Sequence, residues 1–460
     1  MLQLPKAAEP LASSLSIAFT RPTWQRAILL LVGAILARGR RTVTGVLRTV
    51  RPVAQGHFSD YHRVLSRAPW STRPLAHALA AAVLELLADR NEPVVLAVDD
   101  TDTQHRGDRV YAKGRHRDAC RSTRAHTVWL WGHRWVVLAV LVRFPFAARP
   151  WALPVLVGLY KPKALNESEG RAHRTPIAVA RLLVSTLLRW FPDRRFILLG
   201  DGGYASHGLA AFCHARRRRL TLVSLLHPRA HLCELPPPRP AGKVGRDRVR
   251  GDKLPHPQDA VKAAAKRTRT TVDWYGDGRQ RIEYVTGTGQ WYKAAEGLVP
   301  VRWVFVHPCG RDGDGDDGGT RADRYLYSTD PRLSPARIVG LYTARWAVEV
   351  TFQEAKQRLG LGRERSWCEA SVCRTAPCLL GLFSVVSLWY HRQAGTRPAR
   401  LATDPWYADK AAPTFSDALA AVRRSLWDQT IFSGAFGHGA LKQLKPKFRE
   451  TLLDELSRAA

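Results

Sequence analysis

Apolar residues follow two rhythms along this chain. Through residues 1–90 they fall in short stretches punctuated by Pro22, Pro52, Pro69 and Pro74, and residues 75–87 are rich in alanine and leucine, both strong helix formers. Several short helices are predicted there. From residue 94 the pattern changes. Val94-Val95-Leu96-Ala97-Val98 is an unbroken apolar run between Pro93 and Asp99, the form of a strand buried on both faces. Further strands are predicted at 135–142, 153–159, 196–199 and 220–225, with helices at 177–190 and 209–216 between them. Such alternation predicts a mixed α/β sheet with helices between strands.

Pro236-Pro237-Pro238 interrupts the alternation and opens a stretch rich in Pro, Gly, Lys and Arg. Strand-like runs then recur at 281–286, 301–306 and 325–328, and residues 335–359 read as one long helix. The expected organisation is an all-α domain at 1–90 and an α/β domain in two parts, 91–227 and 326–395. A β-rich insertion at 228–325 divides those parts. A C-terminal region, 396–460, is expected to be helical and to serve assembly.

Length and composition agree with more than one folded unit. The chain has 460 residues, 45% hydrophobic and 24% charged, enough to bury a core. Charge adds a partner. Lys+Arg total 71 against 39 Asp+Glu, a net charge of +32. Self-repulsion of that size favours a polyanion as neutralising partner, and nucleic acid rewards such cations through counterion release. The all-α region carries 12 Lys/Arg and 4 Asp/Glu, so DNA binding is expected of it.

Seven cysteines, an odd number, make no disulfide framework. Cys368, Cys373 and Cys378 recur every five residues, which is no zinc spacing. Reduced thiols and a cytoplasmic, nucleoid-associated location are expected. Two apolar runs, 27–37 and 379–390, read as buried helices and not as membrane elements: the first is followed by Arg38-Gly39-Arg40-Arg41 with no cleavage site, the second is short. Asp312, Asp314, Asp316 and Asp323 mimic part of a calcium loop, but Asp317 stands where that template needs glycine. A solvated hairpin tip is the better reading. Neither a Walker loop nor a nucleophile elbow occurs, and no nucleotide cofactor is expected.

Three carboxylates remain as candidate chemistry. Asp99 and Asp201 each follow an apolar strand, which places them at the sheet edge where α/β folds build sites. Each could instead cap a helix. Asp100 and Asp102 compete with Asp99 for the first role. Gly202 and Gly203 after Asp201 permit close backbone approach. On a regular helix over 335–359, Tyr342, Arg345, Glu349 and Lys356 fall within an arc of roughly 60°, a polar stripe about 21 Å long. Leu341, Val348, Phe352, Ala355 and Leu359 form the apolar stripe beside it. Carboxylate sets of this kind suit paired magnesium ions, which take hard oxygen ligands.

Tyr342, Arg345, Glu349 and Lys356 match a Tyr-x2-Arg-x3-Glu-x6-Lys signature, in the context YTARWAVEVTFQEAKQRLGLG. With Val98-Asp99-Asp100-Thr101, Gly200-Asp201-Gly202-Gly203-Tyr204 and the stretch GHFSDYHRVLSRAPW at 56–70, the chain resembles bacterial insertion-sequence transposases of the DDE type. The likeness extends over about residues 55–395. It implies an RNase H-like catalytic domain interrupted by the β insertion, with Asp99, Asp201 and Glu349 as catalytic metal ligands. Mg2+ is the implied cofactor, with Mn2+ as substitute, and double-stranded DNA the implied substrate, held by a homodimer. Tyr342, Arg345 and Lys356 would contact that DNA. The implied reaction is cleavage at the element's ends followed by attack of the freed 3′-hydroxyls on target DNA. Related enzymes stack a flipped base on an aromatic residue of the insertion; Trp274, Trp291 and Trp303 are the candidates, with none singled out. An RNase H-like nuclease without strand transfer, and an inert DNA-binding derivative, are the rival readings.

Overall fold

A computed structural model describes residues 4–87, 89–118, 121–123, 125–239, 242, 244–275, 278–309, 323–395, 410–432 and 444–458. The acidic loop at 312–319 and most of the region 396–443 lie outside the described residues. The strands are β1 (Val94–Gln104), β2 (Gly114–Arg117), β3 (Trp129–Val142), β4 (Trp151–Tyr160), β5 (Phe196–Gly200), β6 (Leu220–Leu225), β7 (Leu232–Cys233), β8 (Thr268–Asp273), β9 (Arg279–Lys293), β10 (Gly297–Pro308) and β11 (Arg324–Ser328). They belong to two compact units, and β1 supplies residues to both.

One unit comprises residues 89–99 and 184–348. The first half of β1 pairs in parallel with β5, and β5 with β6. All five β5 residues are buried, as a strand covered on both faces requires. Beyond β6 the order turns antiparallel, through β11 to β10 and β9, with β7 and β8 also paired to β9. Helix His207–His214 follows β5 and is capped by Ser206, whose hydroxyl accepts from the Leu209 N–H at 3.2 Å. Helix Pro335–Ala344 starts with proline at its first turn and Ser334 as cap, the preferred chemistry at that end.

The other unit comprises residues 1–88, 100–183 and 349–460. Its N-terminal part is helical as expected, with helices Glu9–Ser16, Arg21–Leu36, Val43–Thr49, Phe58–Ser66 and Thr72–Leu84. The carbonyls at the end of Arg21–Leu36 would be orphans. Two arginines satisfy them: Arg41 donates to Ala34 and Ala37 O, and Arg423, from helix Phe415–Leu426, donates to Ile35 and Ala37 O. Burial lowers both guanidinium pKa values, Arg41 to about 10 and Arg423 to about 9, with neighbouring arginines adding to the shift.

Helix Glu369–Ala394 is the core of this unit. It is longer than its apolar run suggested, and it is long and apolar enough to cross a membrane by length and composition. Its most apolar window is 67% buried inside the protein, and Ser384 Oγ donates to Pro154 O of β4 at 2.8 Å. Arg374 on it donates to the carbonyls of Val64, Leu65, Ala68 and Trp70. β3 pairs antiparallel with both β4 and β2. A Cβ on Gly132 of β3 would stand 1.8 Å from Thr103 O, so only glycine allows that approach. The fold class is as expected: α/β with a mixed sheet, RNase H-like in its succession of an antiparallel β3–β4 pair and parallel β1, β5 and β6.

One expectation fails. Residues 335–359 are not one helix. Pro335–Ala344 ends, Arg345 and Trp346 form a turn, Ala347–Glu354 resumes, and Ala355–Leu359 closes as a π-helical turn. At the break the bonds tighten to i→i+3: Arg345 N to Tyr342 O, Trp346 N to Thr343 O and Val348 N to Arg345 O. The four signature residues therefore do not share one straight stripe.

Candidate active site

The parallel register of β1 and β5 runs Val94↔Phe196 through Val98↔Gly200. One step further come Asp99 and Asp201. Neighbouring strands lie about 4.8 Å apart, so the two aspartates stand side by side. Asp201 follows the end of β5, but Asp99 lies inside β1, which continues to Gln104 and does not end at Val98 as the apolar run suggested. Apolar runs fix both strands, and the sheet fixes the register.

Asp99 is buried, and Arg345 Nη1 donates to its Oδ2 at 2.9 Å, with both side chains about one-tenth exposed. A buried carboxylate needs a counter-charge, and Arg345 supplies it. Tyr342 packs against the same guanidinium, whose carbon sits 5.7 Å from the ring centroid, within cation–π range. Burial pushes the Tyr342 hydroxyl up; Arg345 and Arg324 oppose the shift, while Tyr275 and Asp201 add to it. The hydroxyl stays protonated at neutral pH. Asp201 accepts from the Gly203 N–H at 2.9 Å and caps the short 3₁₀ turn Gly202–Tyr204, the structural role weighed for it from sequence. Its backbone carbonyl accepts from Ser224 Oγ. A Cβ on Gly200 would meet Tyr204 Cβ at 2.8 Å, so the turn after β5 depends on glycine there.

Strand alternation separates the competing aspartates. Asp99 and Thr101 are buried, whereas Asp100 and Asp102 point to the opposite face. There Arg134 of β3 holds both, with Nε 3.1 Å from Asp100 and a two-pronged contact to Asp102 at 2.8 Å. Sequence reading missed Arg134, because nothing local marks a residue 32 positions downstream as the partner of Asp102.

Glu349 lies in the other unit, in the first turn of Ala347–Glu354, and is half-buried. Thr351 Oγ1 donates to Ala152 O of β4 and anchors that helix in its unit. Lys356 falls in the π-helical turn. The insertion's tryptophans are mostly packed away: Trp274 and Trp303 are buried, and Trp291 meets His207 and Tyr327 edge to face.

A family model described as DDE superfamily endonuclease matches residues 14–281. The chain belongs to that family. The matched span holds Asp99 and Asp201 of this DDE-family protein and ends before Glu349. No curated protein matches the chain. Among solved structures, a piggyBac transposase synaptic complex with hairpin DNA aligns at 10% identity and TM-score 0.43, covering 98% of this chain and 81% of that one.

Two adjacent aspartates are the hard-oxygen donor set that a divalent ion such as magnesium takes, and in this respect the pair fits a metal. Among the described residues, no group of three or more His, Cys, Asp or Glu stands close enough together to hold an ion.

A basic cavity, missed in the sequence, lies among the N-terminal helices. It has a volume of about 430 Å³ and is lined by Arg38, Arg40, Arg48, Arg365, Thr42 and Thr44 among others. Among the described residues no carboxylate pairs with Arg40, Arg48 or Arg365. The Arg38-Gly39-Arg40-Arg41 run was its visible signal.

Proposed function

We propose that this protein is a metal-dependent DNA transposase, which cleaves at the ends of its element and joins the 3′-hydroxyls to target DNA. The observation that carries the reading is the register that sets Asp99 beside Asp201 in a chain of the DDE endonuclease family. Asp99, Asp201 and Glu349 would hold the metal, which when bound activates the attacking oxygen and stabilises the leaving one.

The chain's own residues prepare that chemistry. Arg345 supplies the counter-charge that buried Asp99 needs and holds its carboxylate in place, and Tyr342 packs beside the Arg345 guanidinium. This gives Tyr342 and Arg345 positioning roles, where the sequence suggested DNA contact. Asp100 and Asp102, tied to Arg134, brace the sheet. Lys356 keeps its role as a phosphate contact. The basic cavity offers four arginines and three threonine hydroxyls to a duplex backbone, and the net charge of +32 draws the polyanion in. A homodimer on DNA completes the reading.

A pre-cut element end with a free 3′-hydroxyl, incubated with plasmid and magnesium, tests it. Covalent end–plasmid products are expected, absent for Asp201→Asn. Cleavage without joined product would leave an endonuclease that lacks strand transfer.

A further inference from the structure

The β2–β3 ribbon carries a surface that the reaction above does not use. Arg115 and Arg117 on β2, and Trp129 and Trp131 on β3, are exposed together, while His116, Gly114 and Gly132 between them are buried. Antiparallel register sets Arg115 opposite Trp131 and Arg117 opposite Trp129. The Arg115 guanidinium stacks 4.3 Å from the Trp129 ring centroid, and Lys113 Nζ lies 5.7 Å from that of Trp131. Even so, Trp129 is 49% and Trp131 55% exposed.

Indole is the largest apolar side chain, and two of them exposed on one strand face mark a binding surface. Their Cα atoms are about 7 Å apart along the strand. Lys113 is paired with Asp108 at 3.6 Å, but the two exposed guanidiniums of Arg115 and Arg117 do not suit a lipid interior or an apolar protein face as occupant, and select an anion with flat faces. We infer that this ribbon binds unpaired nucleotides, with bases stacked on Trp129 and Trp131 and phosphates met by Arg115 and Arg117. Stacking on aromatic side chains tolerates any base, and flanking cations track the backbone. The inference rests on the proposal that the protein acts on DNA, where cleavage and joining expose single-stranded ends. It places base stacking outside the 228–325 segment.

The test uses the full chain and end-labelled oligonucleotides, read by fluorescence anisotropy: a single strand with bases, an abasic strand of equal length, and a duplex. Trp129→Ala with Trp131→Ala should weaken binding of the base-bearing strand by about tenfold per indole. Binding of the abasic strand should hold, and Trp→Phe at both positions should restore most of the loss. Arg115→Ala with Arg117→Ala should lower the salt slope for both single strands. Equal losses on the base-bearing and abasic strands would overturn stacking, as would no loss on either. A shift in oligomeric state by sedimentation, with strand affinity unchanged, would make the ribbon a protein interface and equally overturn it. If the native protein binds the duplex while the tryptophan variants behave as native, only this inference fails. If it binds none of the three, the proposed function fails with it.

Discussion

Arg345→Ala should expose what the Asp99 ion pair contributes. Both side chains are about nine-tenths buried and meet at 2.9 Å, so removing the guanidinium strands a carboxylate out of water. Breaking a buried pair in this way costs about 3–5 kcal/mol. Removing both charges, as Asp99→Asn with Arg345→Met, should restore stability to within about 1 kcal/mol of native, since volume-matched replacement of buried pairs is often neutral. Urea unfolding of native protein, Arg345→Ala and the double variant, at pH 7 and without divalent ions, measures both. Magnesium should stabilise Arg345→Ala more than native protein, because the ion no longer competes with a guanidinium for Asp99. DNA affinity in calcium should keep its native salt slope. A cost below about 1 kcal/mol, or a slope reduced by one unit, would refute the positioning role and return Arg345 to the phosphates.

The histidines of the larger unit predict an acid limit. Burial, with His133 and Lys113 adding, lowers His105 to about 4, so between about pH 4 and 6.5 the unfolded chain binds the extra proton. The contribution is full above 6.5 and falls as pH drops, by up to about 1.4 kcal/mol per pH unit; thermal melts from pH 7 to 5 should flatten in His105→Gln, and an unchanged slope would contradict the burial argument. Arg374 donates to four backbone carbonyls, so Arg374→Ala should cost about 2–4 kcal/mol, and urea unfolding that shows under 1 kcal/mol would remove it as the tie between helices. Arg40→Ala with Arg48→Ala and Arg365→Ala should reduce the log-affinity-against-log-salt slope for duplex by up to about three units; a native slope would exclude the cavity as a backbone site.

Much of the fold was legible because it is local. β6 begins and ends where its apolar run does, and the strands at 94–98 and 196–199 were plain because continuous apolar runs between Pro, Gly and Asp admit few other readings. What was missed depends on distant partners. No glycine or proline marks the break at Arg345; the turn coincides with the docking of that side chain on a residue 246 positions away. β2 was missed because GRHR has no apolar alternation. Asp201 could be placed at a strand end from sequence, whereas Asp99 could not, because β1 runs on through the polar residues to Gln104; the adjacency of the two needed the β1–β5 register. Two-residue alternation could have told Asp99 from Asp100, had the position of the sheet's buried face been known.

The central claim is that Asp99, Asp201 and Glu349 carry the chemistry while Asp100 does not. Magnesium-dependent nicking of a plasmid bearing the element's ends, compared across Asp99→Asn, Asp201→Asn, Glu349→Gln and Asp100→Asn, tests it most directly. The account predicts that the first three lose cleavage by at least a thousandfold with DNA binding in calcium intact, and that Asp100→Asn stays within tenfold of native. An active Asp99→Asn beside an inactive Asp100→Asn would contradict it.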